Sequence, residues 1–391
     1  MKKQQIINYI LSLKAPDNGF FLQSGFNQKT LMSSAFSILC LELIDGIENI
    51  DKEKEAELFL NAQDSDTGLF IDSTREPLKN KSPNFEDDYF DFQTTTFTIS
   101  ALDALGYQPK YRFKILDDKR SFNSLREWFY QLDWSNPWHE SNKVMFLLQF
   151  FSHEHIRYNE KESKSLVLYI LDLLDESVDE KSGFWGTDQG ASIFNAMAGA
   201  FHFYNHYKYY QRDIPYQNLA YLNTISLQER DGLFHPLGGG GACEDLDAVD
   251  MIYKMQKHDY KNEIILSRAY KSIMESQNDD GGFPWALRPR IPLNYGSQYL
   301  NPIKSNFHFG MFRWVIKRNI LGSFIPLLKD SKLYRYSGSD NMKYYINKSD
   351  IWSTWFRLLA LATIECQYPE IINHDIKFQF RSLPSLGWQF V

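Results

Sequence analysis

The sequence predicts an all-α fold, a closed ring of helical hairpins, from three observations. The first is a set of glycine turns at fixed spacing. "APDNGFF" holds Gly19, "QDSDTGLF" Gly68, "EKSGFWG" Gly183, "QERDGLF" Gly232 and "QNDDGGF" Gly281. Gly19 to Gly68, Gly183 to Gly232 and Gly232 to Gly281 each span 49 residues. Gly68 to Gly183 spans 115, room for two units, and "QLDWSNPWHE" sits in that gap as a degenerate copy. "LPSLGWQF", near the end of the sequence, reads as a closing copy. The second observation is that apolar helical patterns precede and follow each turn, and glycine after Asp or Asn is helix-stop chemistry. The third is the scarcity of strand alternation. Each unit is therefore a helix, a glycine turn, a loop and a second helix. About six such units in a row make an α/α toroid, with an open solenoid as the alternative.

The second helix of each unit is the more apolar and should face inward. The inner starts read "KTLMSSAFSILCL", "FQTTTFTISAL", "ESNKVMFLLQF", "DQGASIFNAMAGAF", "EDLDAVDMIYKM" and "SDIWSTWFRLLALATI". In a ring these starts point to one end, so the loops before them converge on one mouth. The chain of 391 residues then reads as one toroid domain over 1–391, with a basic insertion at 286–348. That insertion carries eleven Lys or Arg and two Asp, a charge of +9, against -16 for the remainder. Within it, 305–321 has an amphipathic pattern that suits peripheral contact with an anionic membrane surface. Docking on the acidic ring is its structural reading.

Composition narrows the function. A net charge of -7 argues against a nucleic-acid partner. Aromatics make up 16% of the chain, enough to pack a core, stack on sugars or surround a cation. Cys40, Cys243 and Cys366 form neither a C-x-x-C pair nor a disulfide framework, which fits a reducing cytoplasm. The first residues lack a signal-peptide apolar core, and no run reaches the ~18–20 apolar residues of a membrane span. The expectation is a cytoplasmic protein, with membrane association left open.

"QERDGLF" and "QNDDGGF" read Q-x-x-x-G-x-F. This resembles the QW repeat of squalene and oxidosqualene cyclases, with Phe in place of Trp. The resemblance covers most of the chain and implies the toroid shared by terpenoid cyclases and protein prenyltransferases. Class II terpenoid cyclases also carry D-x-D-D at an inner-helix start. Here Asp245, Leu246, Asp247 and Ala248 stand in that register, with Ala248 at the fourth position. The resemblance implies that Asp247 protonates an alkene or epoxide, with Asp245 as its partner. Such chemistry needs a carboxylic acid kept neutral, which neighbouring carboxylates promote. The protein prenyltransferase zinc site would need a D-x-C pair, and the sequence has none.

Other mouth residues are candidates for substrate binding. Glu244 extends the acid cluster behind the tetraglycine Gly238–Gly241. Asp88 and Asp91 precede the second inner helix, with Asp91 aligned to Asp245. Trp138, His139 and Glu140 suit acid–base work or sugar binding, and Trp185 and Asp188 lie in the next unit. Arg288, Arg290, Asn306 and His308 belong to the insertion and suit an anionic group. His residues in "SHEHIRY" and "FHFYNHY" read as structural, at the far end of the ring. No cofactor is expected, although acids from adjacent units could also form an all-oxygen Mg²⁺ or Ca²⁺ site. The leading expectation is a class II-like cyclase acting on an isoprenoid. A carbohydrate lyase or glycoside hydrolase on the same fold is the second reading, and a non-catalytic binding protein the third.

Overall fold

The computed structural model describes residues 1–26, 28–74, 89–236, 238–255, 260–286, 333–335, 342–345, 347–371 and 374–389. Its helices alternate between two layers. The outer layer is α1 (Lys3–Ser12), α3 (Lys52–Asn61), α5 (Phe122–Phe129), α7 (Lys161–Ser177), α9 (Gln217–Ser226) and α11 (Tyr260–Glu275). The inner layer is α2 (Leu31–Leu43), α4 (Tyr89–Leu105), α6 (Pro137–Tyr158), α8 (Ile193–Tyr209), α10 (Ala242–Met255) and α12 (Ile351–Gln367). All six expected inner helices form. Burial follows the sequence pattern. On α7 the buried Ser163, Leu166, Val167, Ile170, Leu171 and Leu174 make one stripe, whereas α12 is buried on nearly every side.

The inner helices pack in the cyclic order α2–α4–α6–α8–α10–α12–α2. The ring is therefore closed, and the solenoid is excluded. Neighbours run in the same direction. Tyr89 stacks on His139 near the starts of α4 and α6, and Gln149 Nε2 donates to the Thr96 carbonyl further along both. Closure joins the last unit to the first. Gln5 Nε2 donates to the Asp279 carbonyl at 2.8 Å, and the Ile351 amide donates to the Leu22 carbonyl.

The repeat itself is a staple. Gln63, Gln228 and Gln277 each donate through Nε2 to the carbonyl of their own turn glycine, Gly68, Gly232 and Gly281. Gln63 also bonds the backbone of Lys110 and Tyr111, and Gln228 the Ile265 carbonyl, so each turn is tied to the next stretch of outer layer. The five repeat glycines all have positive φ. A Cβ on Gly68, Gly232 or Gly281 would overlap the backbone of Arg112, Arg268 or Gln5. Glycine is thus required twice, for conformation and for close approach.

The repeat extends into the inner helices. Backbone N–H groups of Phe20, Phe70, Phe234 and Phe283 donate to Ser34 Oγ, Thr95 Oγ1, Asp245 Oδ1 and Thr354 Oγ1 at 2.7–3.0 Å. These four oxygens occupy one structural position in the ring. Thr95, not Asp91, therefore matches Asp245. The register differs from the sequence expectation because α4 begins at Tyr89, upstream of the expected start at Phe92.

Two further features depart from expectation. Part of the basic insertion forms an antiparallel pair, β1 (Leu333–Arg335) and β2 (Lys343–Tyr345). The amphipathic stretch 305–321 lies outside the described residues. The closing copy "LPSLGWQF" does not make another hairpin. Residues 374–389 instead run across the end of the ring opposite the inner-helix starts. No helix among the described residues is long and apolar enough to cross a membrane.

Candidate functional site

A cavity of about 250 Å³ opens among the inner helices. Alpha-4 gives it Tyr89, Gln93 and Phe97, α6 gives Trp138, Asn142 and Met145, and α8 gives Phe201 and His202. Cys243, Glu244 and Asp247 come from α10, and Trp352 and Phe356 from α12. Trp285 and Tyr344 line it from the segments that precede α12, and Leu386 from residues 374–389. Alpha-2 contributes from behind, where Phe36 packs on Phe97 and Phe356 with ring centroids 4.7 and 6.3 Å apart.

The repeat register explains which residues face in. Two residues beyond Ser34, Thr95, Asp245 and Thr354 stand Phe36, Phe97, Asp247 and Phe356. Asp247 is thus an acid placed where the equivalent inner helices carry phenylalanine. It is 2% exposed and has no hydrogen-bond or ion-pair partner among the described residues. Burial pushes its carboxyl well above the ordinary carboxylate range, and Glu244, Asp250 and Asp245 push it further. Burial and the neighbouring acids thus favour its protonated form. Burial also raises the Cys243 thiol and lowers His202 to about 3, so both are uncharged. Ser141 Oγ lies 2.7 Å from His202 Nδ1 and fixes that ring.

Asp245 does different work. It lies behind the cavity wall, fully buried, and accepts from the amides of Phe234 and Gly241 at 2.7 and 3.1 Å. Arg357, also fully buried, donates to it at 2.5 Å and to the Trp285 carbonyl at 2.9 Å. Burial lifts the Asp245 carboxyl to about 6 against the opposing pull of Arg357. The pair fixes the lead-in to α10 onto α12.

The tetraglycine follows from this geometry. Gly238, Gly239 and Gly240 all have positive φ, and the Gly239 amide donates to Asp231 Oδ2 at 2.6 Å. A Cβ on Gly240 would overlap Asp245 Oδ2, and one on Gly241 would overlap the Glu244 carboxylate. The glycines let two carboxylates press against backbone. Gly240→Ala is expected to cost about 1–3 kcal/mol, since it adds backbone strain to the displacement of Asp245. Gly241→Ala should cost less, because its φ is ordinary and Glu244 can swing away. Urea unfolding of both variants checks the order.

The remaining candidates divide clearly. Glu244 and Trp138 line the cavity with Asp247. His139 sits one layer out, stacked on Tyr89 at 4.7 Å, and Glu140 lies 3.2 Å from Lys143 Nζ. Asp91 is buried in the first turn of α4 without lining the cavity. Trp185 is a core residue whose Nε1 donates to the Leu174 carbonyl, and Asp188 is exposed at the surface. Both miss the cavity because they belong to the turn and loop before α8, whose lining residues sit farther along the helix. Asp88, Arg288, Arg290, Asn306 and His308 lie outside the described residues. His202 lines the cavity instead of serving the structural role expected for it, while His153 and His206 are buried and held neutral by burial. The spacing of His202 from the α8 start could have flagged it. The segment holding Leu386 carried no such signal.

The Cys243 thiol donates to its neighbour Glu244 at 3.1 Å, and no three His, Cys, Asp or Glu among the described residues are grouped to hold a metal.

A ring of inner helices presenting side chains to a central cavity defines an α/α-toroid protein. A family model described as the prenyltransferase alpha-alpha toroid domain matches residues 1–81 and 82–288. The chain belongs to that family. No curated protein and no solved structure matches it.

Proposed function

We propose that this protein is an isoprenoid cyclase of the class II type, with Asp247 as its general acid. One observation carries the reading: the buried Asp247 carboxyl, whose protonated form is favoured by burial and by neighbouring acids, faces a cavity lined by Phe97, Trp138, Trp285, Trp352 and Phe356. The acid gives its proton to one carbon of a substrate alkene or to an epoxide oxygen. The alkene π electrons form the new C–H bond, or the C–O bond of the epoxide breaks, and a carbocation results. An internal alkene of the substrate then attacks that centre and closes a ring. The faces of Phe97, Phe356, Trp352 and Trp138 can stabilise the migrating charge. Loss of a proton from the final cation restores neutrality.

The volume of about 250 Å³ falls below the roughly 300–1,000 Å³ of typical ligand pockets. It favours a short-chain isoprenoid over a triterpene. The buried acid among aromatic side chains supports this chemistry over a carbohydrate groove, which would carry paired carboxylates and exposed Trp. Incubation with prenyl substrates of graded length in D2O tests the reading. Cyclic products carrying one deuterium at the protonated carbon are expected. Recovery of every substrate unchanged would remove the proposal.

The activity should also depend on pH in one direction. The protonated form of Asp247 is the competent one, and its pKa is raised. Turnover should hold level through the acid side and fall as pH rises through the folded pKa. A kcat profile that rises with pH would contradict this assignment.

A further inference from the structure

The cavity has two ends built from different material. Trp285 and Tyr344 line it from the segments leading into α12. Leu386 closes it from the opposite side, on a segment that belongs to no hairpin. That segment touches all six inner helices. The Gln379 amide donates to the Leu43 carbonyl of α2, and Ser385 Oγ lies 3.4 Å from Ser100 Oγ of α4. Arg157 of α6 donates to Ser382, and Trp388 packs on Tyr209 of α8 at 5.6 Å. Gln389 Nε2 donates to Asp250 of α10 at 3.0 Å and to Thr363 of α12 at 2.8 Å.

Below Leu386 the ring interior turns polar. Gln149 donates to Ser100 Oγ at 3.0 Å, and Asp250 forms a fully buried ion pair with Lys254. An apolar chain pushed past Leu386 would separate these groups from their partners without replacing the bonds, which is costly in a buried setting. Leu386 is therefore the last apolar surface before a polar layer.

Resting on the isoprenoid reading above, we infer that residues 374–389 are a plug whose Leu386 sets the cavity depth and selects substrate chain length. Leu386 is 8% exposed, and it faces space that already exists. Shortening it deepens that space instead of opening a sealed void. Lengthening it fills the same space.

The test is binding, separate from turnover. Geraniol, farnesol and geranylgeraniol are titrated against the full chain, read by fluorescence of the cavity residues Trp138, Trp285 and Trp352. Leu386→Ala should shift the affinity ratio of longer to shorter alcohol upward by about tenfold, one step of 1.4 kcal/mol. Leu386→Phe should shift it the other way. Circular dichroism and a cooperative melt confirm that each variant folds, and Leu386→Met provides a volume-conserving control with an unchanged ratio. Folded Ala and Phe variants that both keep the wild-type ratio would overturn the plug while leaving the cyclase reading standing. Failure of the wild-type protein to bind any of the three alcohols would overturn both.

Discussion

Asp247→Asn should abolish turnover, with a loss of about 10²–10⁴-fold in kcat, the usual contribution of a positioned general acid. The amide has the shape of the acid and no transferable proton. The variant should fold, because the amide avoids the cost of ionising a buried group. Its stability should diverge from that of the natural sequence with pH, and the sign follows from the raised pKa of Asp247. In the unfolded chain an aspartate titrates near ~3.9. Below that pH both states hold the proton, and the contribution of Asp247 to stability is fully present. As pH rises, the unfolded chain releases its proton first, so the stability contributed by Asp247 is progressively lost until the folded pKa is passed. Asn does not titrate. Asp247→Asn should therefore gain stability relative to Asp247 between acid and alkaline pH. Urea midpoints at pH 4, 6 and 8 measure that trend. Turnover within threefold of the natural sequence would end the general-acid proposal.

Arg357→Met carries the largest expected stability effect, a loss of about 3–5 kcal/mol. The guanidinium and the Asp245 carboxylate are both fully buried and 2.5 Å apart. Removing the cation leaves a carboxylate that accepts two backbone bonds with no counter-charge. Adding Asp245→Asn should recover part of the loss, because the uncompensated charge goes with it. A double-mutant cycle in urea reads the coupling between the two sites. Arg357→Met with a loss under about 1 kcal/mol would show that the pair is dispensable. The cavity should suffer as well, since Arg357 also holds the Trp285 carbonyl and Trp285 is a lining residue.

The 49-residue spacing is legible in sequence because its cause is local. Each turn uses a left-handed glycine, and three of them add a glutamine that folds back on the glycine carbonyl, namely Gln63, Gln228 and Gln277. Those requirements repeat with the hairpin. The six inner helices were legible for a related reason: a helix buried on nearly every side has an apolar pattern that solvent-facing helices cannot share. Asp247 could be singled out because it stands at the middle acid of a D-x-D-D-like register at an inner-helix start.

Which acid faces the cavity was not legible from local pattern, and only the family resemblance pointed to Asp247. Asp245 and Asp247 lie two residues apart, about 200° around the helix, so one faces in when the other faces away. The choice depends on the rotation of α10, which the Phe234 amide and Arg357 fix by binding Asp245. Arg357 is 112 residues from Asp245, a separation that leaves no trace in local pattern. The match of Thr95 to Asp245 was hidden for the same reason, because it rests on bonds between a turn and a helix rather than on spacing.

The sequence alone determined the run of helical hairpins, the six inner helices and the end at which acids collect, because periodic burial and turn chemistry act over a few residues, whereas closure of the ring came from packing of α12 on α2. Only the tertiary structure decided that Asp245 anchors while Asp247 faces the aromatic space. It also decided that the segment around Leu386 crosses the ring instead of extending it. Both outcomes depend on buried charge and polar groups finding partners across the whole chain, and such partners are chosen by packing.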